Sequence, residues 1–230
     1  MSGPAVCLAV GGSDSCGGAG IQADLAVFAR IGVAGCSATT ALTAQNPERI
    51  LRIEPSPPAQ FGAELQAILS YYTVAAVKTG MLVDAGHIGV LAEAMAHHRV
   101  SCPLVVDPVM VSTSGTTLLD PAGVAALQSV LFPQASLITP NLPEAESLLG
   151  SPIDDPVEAA AELVRRFRRP VLLKGGHGRG DALVDVLCMA DGDVHLFEHP
   201  RLNWGRDQAH GSGCRLAAAI AAYLALQATV

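Results

Sequence analysis

Short apolar or β-branched runs alternate with helix-length segments along nearly the whole chain, and that rhythm leaves few architectures open. Residues 5–10, 33–42, 74–77, 103–106, 136–138 and 171–173 read as strands, mostly apolar throughout, as strands covered on both faces are. Ile21, Leu25, Phe28 and Ala29 recur at helical spacing, and further helices are predicted over 57–72, 85–97, 122–131 and 157–167. Residues 49–53 alternate polar and apolar side chains, the pattern of a half-exposed edge strand. Two late strands near 183–189 and 194–197 flank Asp191-Gly192-Asp193, a hairpin signal. The expected fold is α/β: a three-layer sandwich whose central sheet, mostly parallel but mixed, is flanked by helices.

At 230 residues, 50% of them hydrophobic, the chain can bury a substantial core within one domain. A formal net charge of −7 argues against a nucleic-acid partner and leaves any anionic substrate to local dipoles and a few cations. The cysteines show neither a CxxC pair nor a repeated spacing, which speaks against a disulfide framework or a zinc site and for a reducing, cytoplasmic setting. The opening residues do not read as a leader, and no apolar stretch has the length of a membrane span.

The glycine-rich and charged motifs fall just after the predicted strands, and the carboxyl ends of strands form the ligand crevice of an open α/β sheet. His210-Gly211-Ser212-Gly213-Cys214 runs into the small-apolar stretch 216–222, so free backbone N–H groups and the positive end of a helix dipole face one point. A phosphate or an anionic transition state suits that point. The same field is expected to favour a Cys214 thiolate, able to act as base or nucleophile. The glycine-dense loop 11–20 lets backbone approach a ligand closely. Its spacing is not GxGxxG and no GxxxxGK[ST] occurs, so neither a dinucleotide fingerprint nor a P-loop is indicated. Cys7, Cys36, Cys102 and Cys188 read as inert core, while Cys16 has no assigned task.

Gly-Ser-Asp-Ser-x-Gly-Gly-Ala-Gly-Ile-Gln-Ala-Asp at 12–24 resembles the opening motif of the hydroxymethylpyrimidine and phosphomethylpyrimidine kinases, ribokinase-like enzymes of thiamine synthesis. The segments 40–46, 78–82, 107–110, Ser114-Gly115, 139–145, 174–177 and 210–214 are similar to the same family's motifs, in order over essentially the whole chain. The resemblance implies one ribokinase-like kinase domain over residues 1–230 that uses ATP and Mg²⁺ and forms a homodimer. It places the pyrimidine at Gly12, Asp24, Gln45, Met81 and Val109, where an amide and a carboxylate would face an aminopyrimidine edge and apolar side chains its ring. It places Mg²⁺ at Asp107 and Glu144, hard oxygen donors, and the nucleotide phosphates at Thr139, Asn141, Lys174, Gly211, Ser212 and Gly213. Cys214 takes the role of catalytic base, with its ordinary thiol pKa of about 8.5 expected to fall at the helix start.

Arg215 stands where the family usually has threonine or serine, Gln208-Ala209 replaces Asn-Thr, and Thr116 replaces a common aspartate. Arg215 is expected either to pair with phosphate or to crowd the anion hole. Family members usually continue through at least one more helix, so the domain is expected to be shortened at its C-terminus. The segment after Gln45 is expected to close over substrate. Three rival readings follow: a pyridoxal kinase of the same fold, a non-catalytic pyrimidine- or nucleotide-binding protein, and a cysteine hydrolase pairing Cys214 with His210.

Overall fold

The computed structural model describes residues 3–112, 115–176, 182–202, 205 and 209–227; the motif positions Ser114, His177 and Gln208 lie outside them. The chain begins with β1 (Val6–Asp14), α1 (Gly20–Ile31), β2 (Ala34–Gln45), β3 (Ile50–Pro55), α2 (Pro58–Leu69) and β4 (Val74–Thr79). It continues with α3 (Ala85–His97), β5 (Leu104–Val106), α4 (Pro121–Ala126), β6 (Leu137–Ile138), α5 (Leu142–Leu149) and α6 (Pro156–Phe167). The remaining elements are β7 (Val171–Leu173), β8 (Ala182–Cys188), β9 (Val194–Pro200) and α7 (Ser212–Gln227). The sequence pattern did not indicate α5, and the helix expected over 122–131 gives way to a π-helical turn at Leu127–Leu131.

The strands form one nine-stranded sheet in the order β3-β2-β1-β4-β5-β6-β7-β8-β9. From β2 through β7 neighbouring strands are parallel, while β3, β8 and β9 join antiparallel. The mixed α/β sandwich is therefore the observed architecture, with β3 on the edge and β8–β9 as the hairpin. After β1 the chain builds outward to β2 and β3, then returns to lay β4 on the other side of β1. That reversal opens a crevice at the carboxyl ends of β1 and β4.

Alternate residues of β1 serve opposite faces. Leu8 and Val10 join a core with Val77, Val106, Ile138 and Leu173 under α2 through α6, whereas Cys7 and Ala9 join Ala76 and Val105 under α1 and α7. On the second face α1 supplies Ile21 and Phe28, and α7 supplies a stripe of alanines at 217, 218, 221, 222 and 225. Alanine carries little bulk, so α7 lies close to the sheet and aims its N-terminus over the crevice. Among the described residues, no helix is long and apolar enough to cross a membrane.

Candidate active site

The loops leaving β1, β2, β4, β5, β6 and β7 and the start of α7 surround one cleft at the reversal point. Every residue expected to bind pyrimidine, metal or phosphate lines this cleft except Thr139. Thr139 lies beneath it and donates its hydroxyl to Asp107 Oδ1 at 3.3 Å.

The floor is ionic. Lys78, near the end of β4, points toward α7 and places Nζ 2.9 and 2.8 Å from the two carboxylate oxygens of Asp24 on α1. Both side chains are 1% exposed, so the pair is a desolvated ion pair rather than a solvated contact. Burial alone would lower the Lys78 ammonium, but Asp24, Cys214 and Asp107 hold it above the usual lysine range. Burial raises the Asp24 carboxyl against the opposing pull of Lys78. A second pair lies alongside: Lys174 Nζ contacts Asp107 Oδ1 at 2.7 Å. Asp24 thus reaches the cleft with both oxygens already engaged.

Asn141 and Glu144 satisfy each other before any ligand arrives. The Asn141 side chain accepts from the Glu144 amide at 2.9 Å, and Glu144 Oε2 accepts from the Asn141 amide at 2.8 Å. This reciprocal cap starts α5. Burial pushes the Glu144 carboxyl up to about 7, with Lys174 opposing and Asp107 adding to the rise.

Across the cleft, Asp14 organises the glycine loop. Its carboxylate accepts from the Cys16 and Ala19 amides at 3.0 and 2.8 Å and from His210 Nε2 at 2.8 Å. These hydrogen bonds outweigh burial and hold Asp14 below the usual carboxylate range. The Ser15 hydroxyl donates to the Gln45 carbonyl and accepts from the Gln45 amide, tying the loop to the end of β2. The Met81 sulfur rests against Gly12, and Ile50, beyond the turn after Gln45, also lines the cleft. Gly211 has φ +75°, and a Cβ there would overlap the Gly18 carbonyl. Only glycine lets the two turns meet this closely.

Cys214 is the third residue of α7 and half-buried at the cleft floor. Burial pushes its thiol up; Lys78 opposes, Asp107 and Asp24 add to the rise, and the Gly20 amide opposes. The expected thiolate is therefore corrected: desolvation and two nearby carboxylates overcome the helix field, and the resting form is the thiol. His210 turns its ring to Asp14, which gives the hydrolase reading no support. Arg215 is exposed and is not among the residues lining the cleft.

The family model described as Phosphomethylpyrimidine kinase matches residues 14–230. The hydroxymethylpyrimidine/phosphomethylpyrimidine kinase of Haemophilus influenzae is 41% identical, the match covering 95% of this chain and 82% of that protein. Its Escherichia coli counterpart is 39% identical, over 94% and 81%. This chain belongs to the phosphomethylpyrimidine kinase family. The enzyme class is accordingly that of a phosphotransferase using ATP. A thiamine biosynthesis bifunctional protein of Geobacter sulfurreducens is 47% identical over 95% of this chain, which spans only 44% of that longer relative.

Solved structures give the same ribokinase-like fold. A phosphomethylpyrimidine kinase from Clostridium difficile superposes with a TM-score of 0.82 at 37% identity, covering 96% of this chain and 91% of that one. Bacillus subtilis pyridoxal kinase, solved as an ADP complex, reaches 0.85 at 32% identity, with 97% and 85% covered. For this phosphomethylpyrimidine kinase family member, the sequence pattern gives no role to Lys78 or Asp14, and to His210 only that of partner to Cys214 in the hydrolase reading. A lysine inside an otherwise apolar strand was the available signal, because such a cation needs a buried anion.

Proposed function

We propose that the chain transfers the γ-phosphate of ATP to 4-amino-5-hydroxymethyl-2-methylpyrimidine and then to the resulting monophosphate, giving the diphosphate for thiamine biosynthesis. The observation carrying this reading is a single cleft in which Cys214, the 211–213 turn and Lys174 face Gln45, Met81 and Val109. Met81 and Val109 would hold the ring faces and Gln45 its polar edge, leaving the acceptor oxygen toward Cys214. In each step the acceptor O–H would give its proton to Cys214 in its thiolate form, regenerating the thiol, while its oxygen forms the new P–O bond. The bond from the γ-phosphorus to the β,γ-bridging oxygen breaks, and ADP leaves. Lys174 and the amides of the α7 turn would carry the charge of the migrating phosphoryl group.

Asp107 and Glu144 suit Mg²⁺ as buried hard oxygen donors: burial raises the Glu144 carboxyl, Lys174 opposes and Asp107 adds to the rise, so a cation held beside them would favour the ionised form. A cation held there would neutralise charge on the nucleotide phosphates. Lys78 would keep Asp24 ionised and Cys214 within reach of its thiolate form. We propose a cytoplasmic homodimer as the working state, to be checked by fractionation and light scattering.

The test is product formation from ATP, Mg²⁺ and the pyrimidine, followed by mass spectrometry. Both phosphorylated products are expected, and Cys214→Ala is expected to bind substrate without turnover. Neither product from the intact chain would overturn the reading. Binding without ATP consumption would instead favour a non-catalytic protein. The pyridoxal alternative rests on the 0.85 TM-score to pyridoxal kinases; side-by-side kcat/KM for the two substrates separates it.

A further inference from the structure

We propose that Asp14, Cys16 and His210 form a site for one thiophilic divalent cation, of the Zn²⁺ or Co²⁺ kind, that staples the glycine loop after β1 to the turn opening α7. One ligand atom from each of these residues lies within 4.8 Å of the other two. The Cys16 sulfur is 3.1 Å from Asp14 Oδ1, and His210 Nε2 is 2.8 Å from Asp14 Oδ2. Tetrahedral coordination at about 2.0–2.3 Å needs ligand atoms roughly 3.3–3.7 Å apart, so an opening of a few tenths of an ångström admits the ion.

The ligands are already held in place by their surroundings. Gln22 Oε1 accepts from the Asp14 amide at 2.8 Å, and the Gly17 amide donates to the Asp14 carbonyl at 3.0 Å. Gly17 has φ +73°, which curls Cys16 back over the carboxylate. Gly18 has no side chain to displace the His210 ring, which packs directly against it.

One thiolate, one imidazole and one carboxylate favour a borderline-soft ion over Mg²⁺. Asp14 and His210 are buried, whereas Cys16 is exposed, so water supplies the fourth ligand from the solvent side. On binding, the Cys16 S–H proton leaves to solvent and the cation takes its place, while the imidazole carries its single proton on Nδ1 rather than Nε2 and so offers the Nε2 lone pair to the ion. Because His210 also lines the cleft, the ion would lock the two turns together and add positive charge beside the phosphate-binding amides.

Cobalt titration of the full chain, with Mg²⁺ and a non-chelating reductant present, tests the site. One Co²⁺ per chain is expected, with tetrahedral d–d bands and a thiolate-to-cobalt charge-transfer absorption. Cys16→Ser, or Cys16→Ala should the serine variant not fold, is expected to lose that absorption and bind at least about tenfold more weakly. Cys214→Ser is expected to retain it. Zn²⁺ should raise the melting midpoint of the intact chain more than that of the Cys16 variants at the same concentration. No thiolate absorption in the intact chain, its survival without Cys16, or its loss only without Cys214 overturns the proposal.

Discussion

A cysteine at a helix start gains acidity from the local dipole, yet Cys214 is pushed the other way by burial and by Asp107 and Asp24. A base with a raised pKa is scarce at neutral pH but strong once ionised. We therefore expect kcat/KM to climb with pH through neutrality and into the alkaline range as the thiolate fraction grows. Cys214→Asp, which places a carboxylate base at the same point, should move that rise to the acid side and flatten the profile between pH 6 and 9. An intact enzyme with a flat profile over that interval would rule out Cys214 as base. Lys78 yields a second residue-level expectation. Lys78→Met strands the Asp24 carboxylate in the interior, at a cost of roughly 3–5 kcal/mol. Adding Asp24→Asn should recover much of that loss in urea unfolding, because the buried charge is gone. If the double variant is no more stable than Lys78→Met alone, the ion pair is not what the floor depends on.

At the level of elements, α5 illustrates how one stretch can serve structure and site together. Asn141-Leu142-Pro143-Glu144 is a reciprocal cap with proline in the first turn, and it also lines the cleft. Asn141→Ala should cost about 1 kcal/mol from the lost cap. Asn141→Ser keeps a capping oxygen and should keep that stability. Both variants should nevertheless lose activity if the amide serves the nucleotide; equal stability losses would show that the cap needs the amide itself. This helix was readable in the sequence, since Asn with Glu three positions on and an intervening Pro is a start signal. The same residues also match a ligand motif, which masks that start signal. The strands were legible because both their faces are covered, which leaves nearly continuous apolar runs. What no local pattern holds is placement across the sheet. The reversal beside β1 depends on strand order, and Asp14 meets His210 over a separation of 196 positions. Spacing rules for metal sites cannot see such a pair, nor could the helix-start rule see the carboxylates around Cys214.

For the whole molecule, the two faces of the sheet are unequally built, and the consequence is measurable at high pH. The face under α1 and α7 is packed mainly with alanine against β1 and β4, and Cys7 lies in that layer fully out of solvent. Its thiol faces the Ala221 carbonyl of α7 at 3.9 Å. Burial, with Cys102 adding, pushes it up to about 12 from an ordinary value of 9.0. Between those values the folded chain keeps a proton that the unfolded chain has released, so stability must fall as pH rises through that window. Lys78 and Lys174 act in the same direction somewhat higher. Their folded values are raised, so their contribution is complete below the usual lysine pKa of about 10.4 and is lost as pH climbs through the folded values. Guanidine unfolding at pH 7, 9 and 10.5 under reductant should show little change to the second point and a clear loss by the third. Cys7→Ala should lower stability at pH 7 by the small cavity it leaves, yet flatten the decline above pH 9, because the group that withholds its proton is gone. Parallel declines in the two proteins would mean that Cys7 ionises as freely in the folded chain as in the unfolded one, and that the layer beneath α7 admits water.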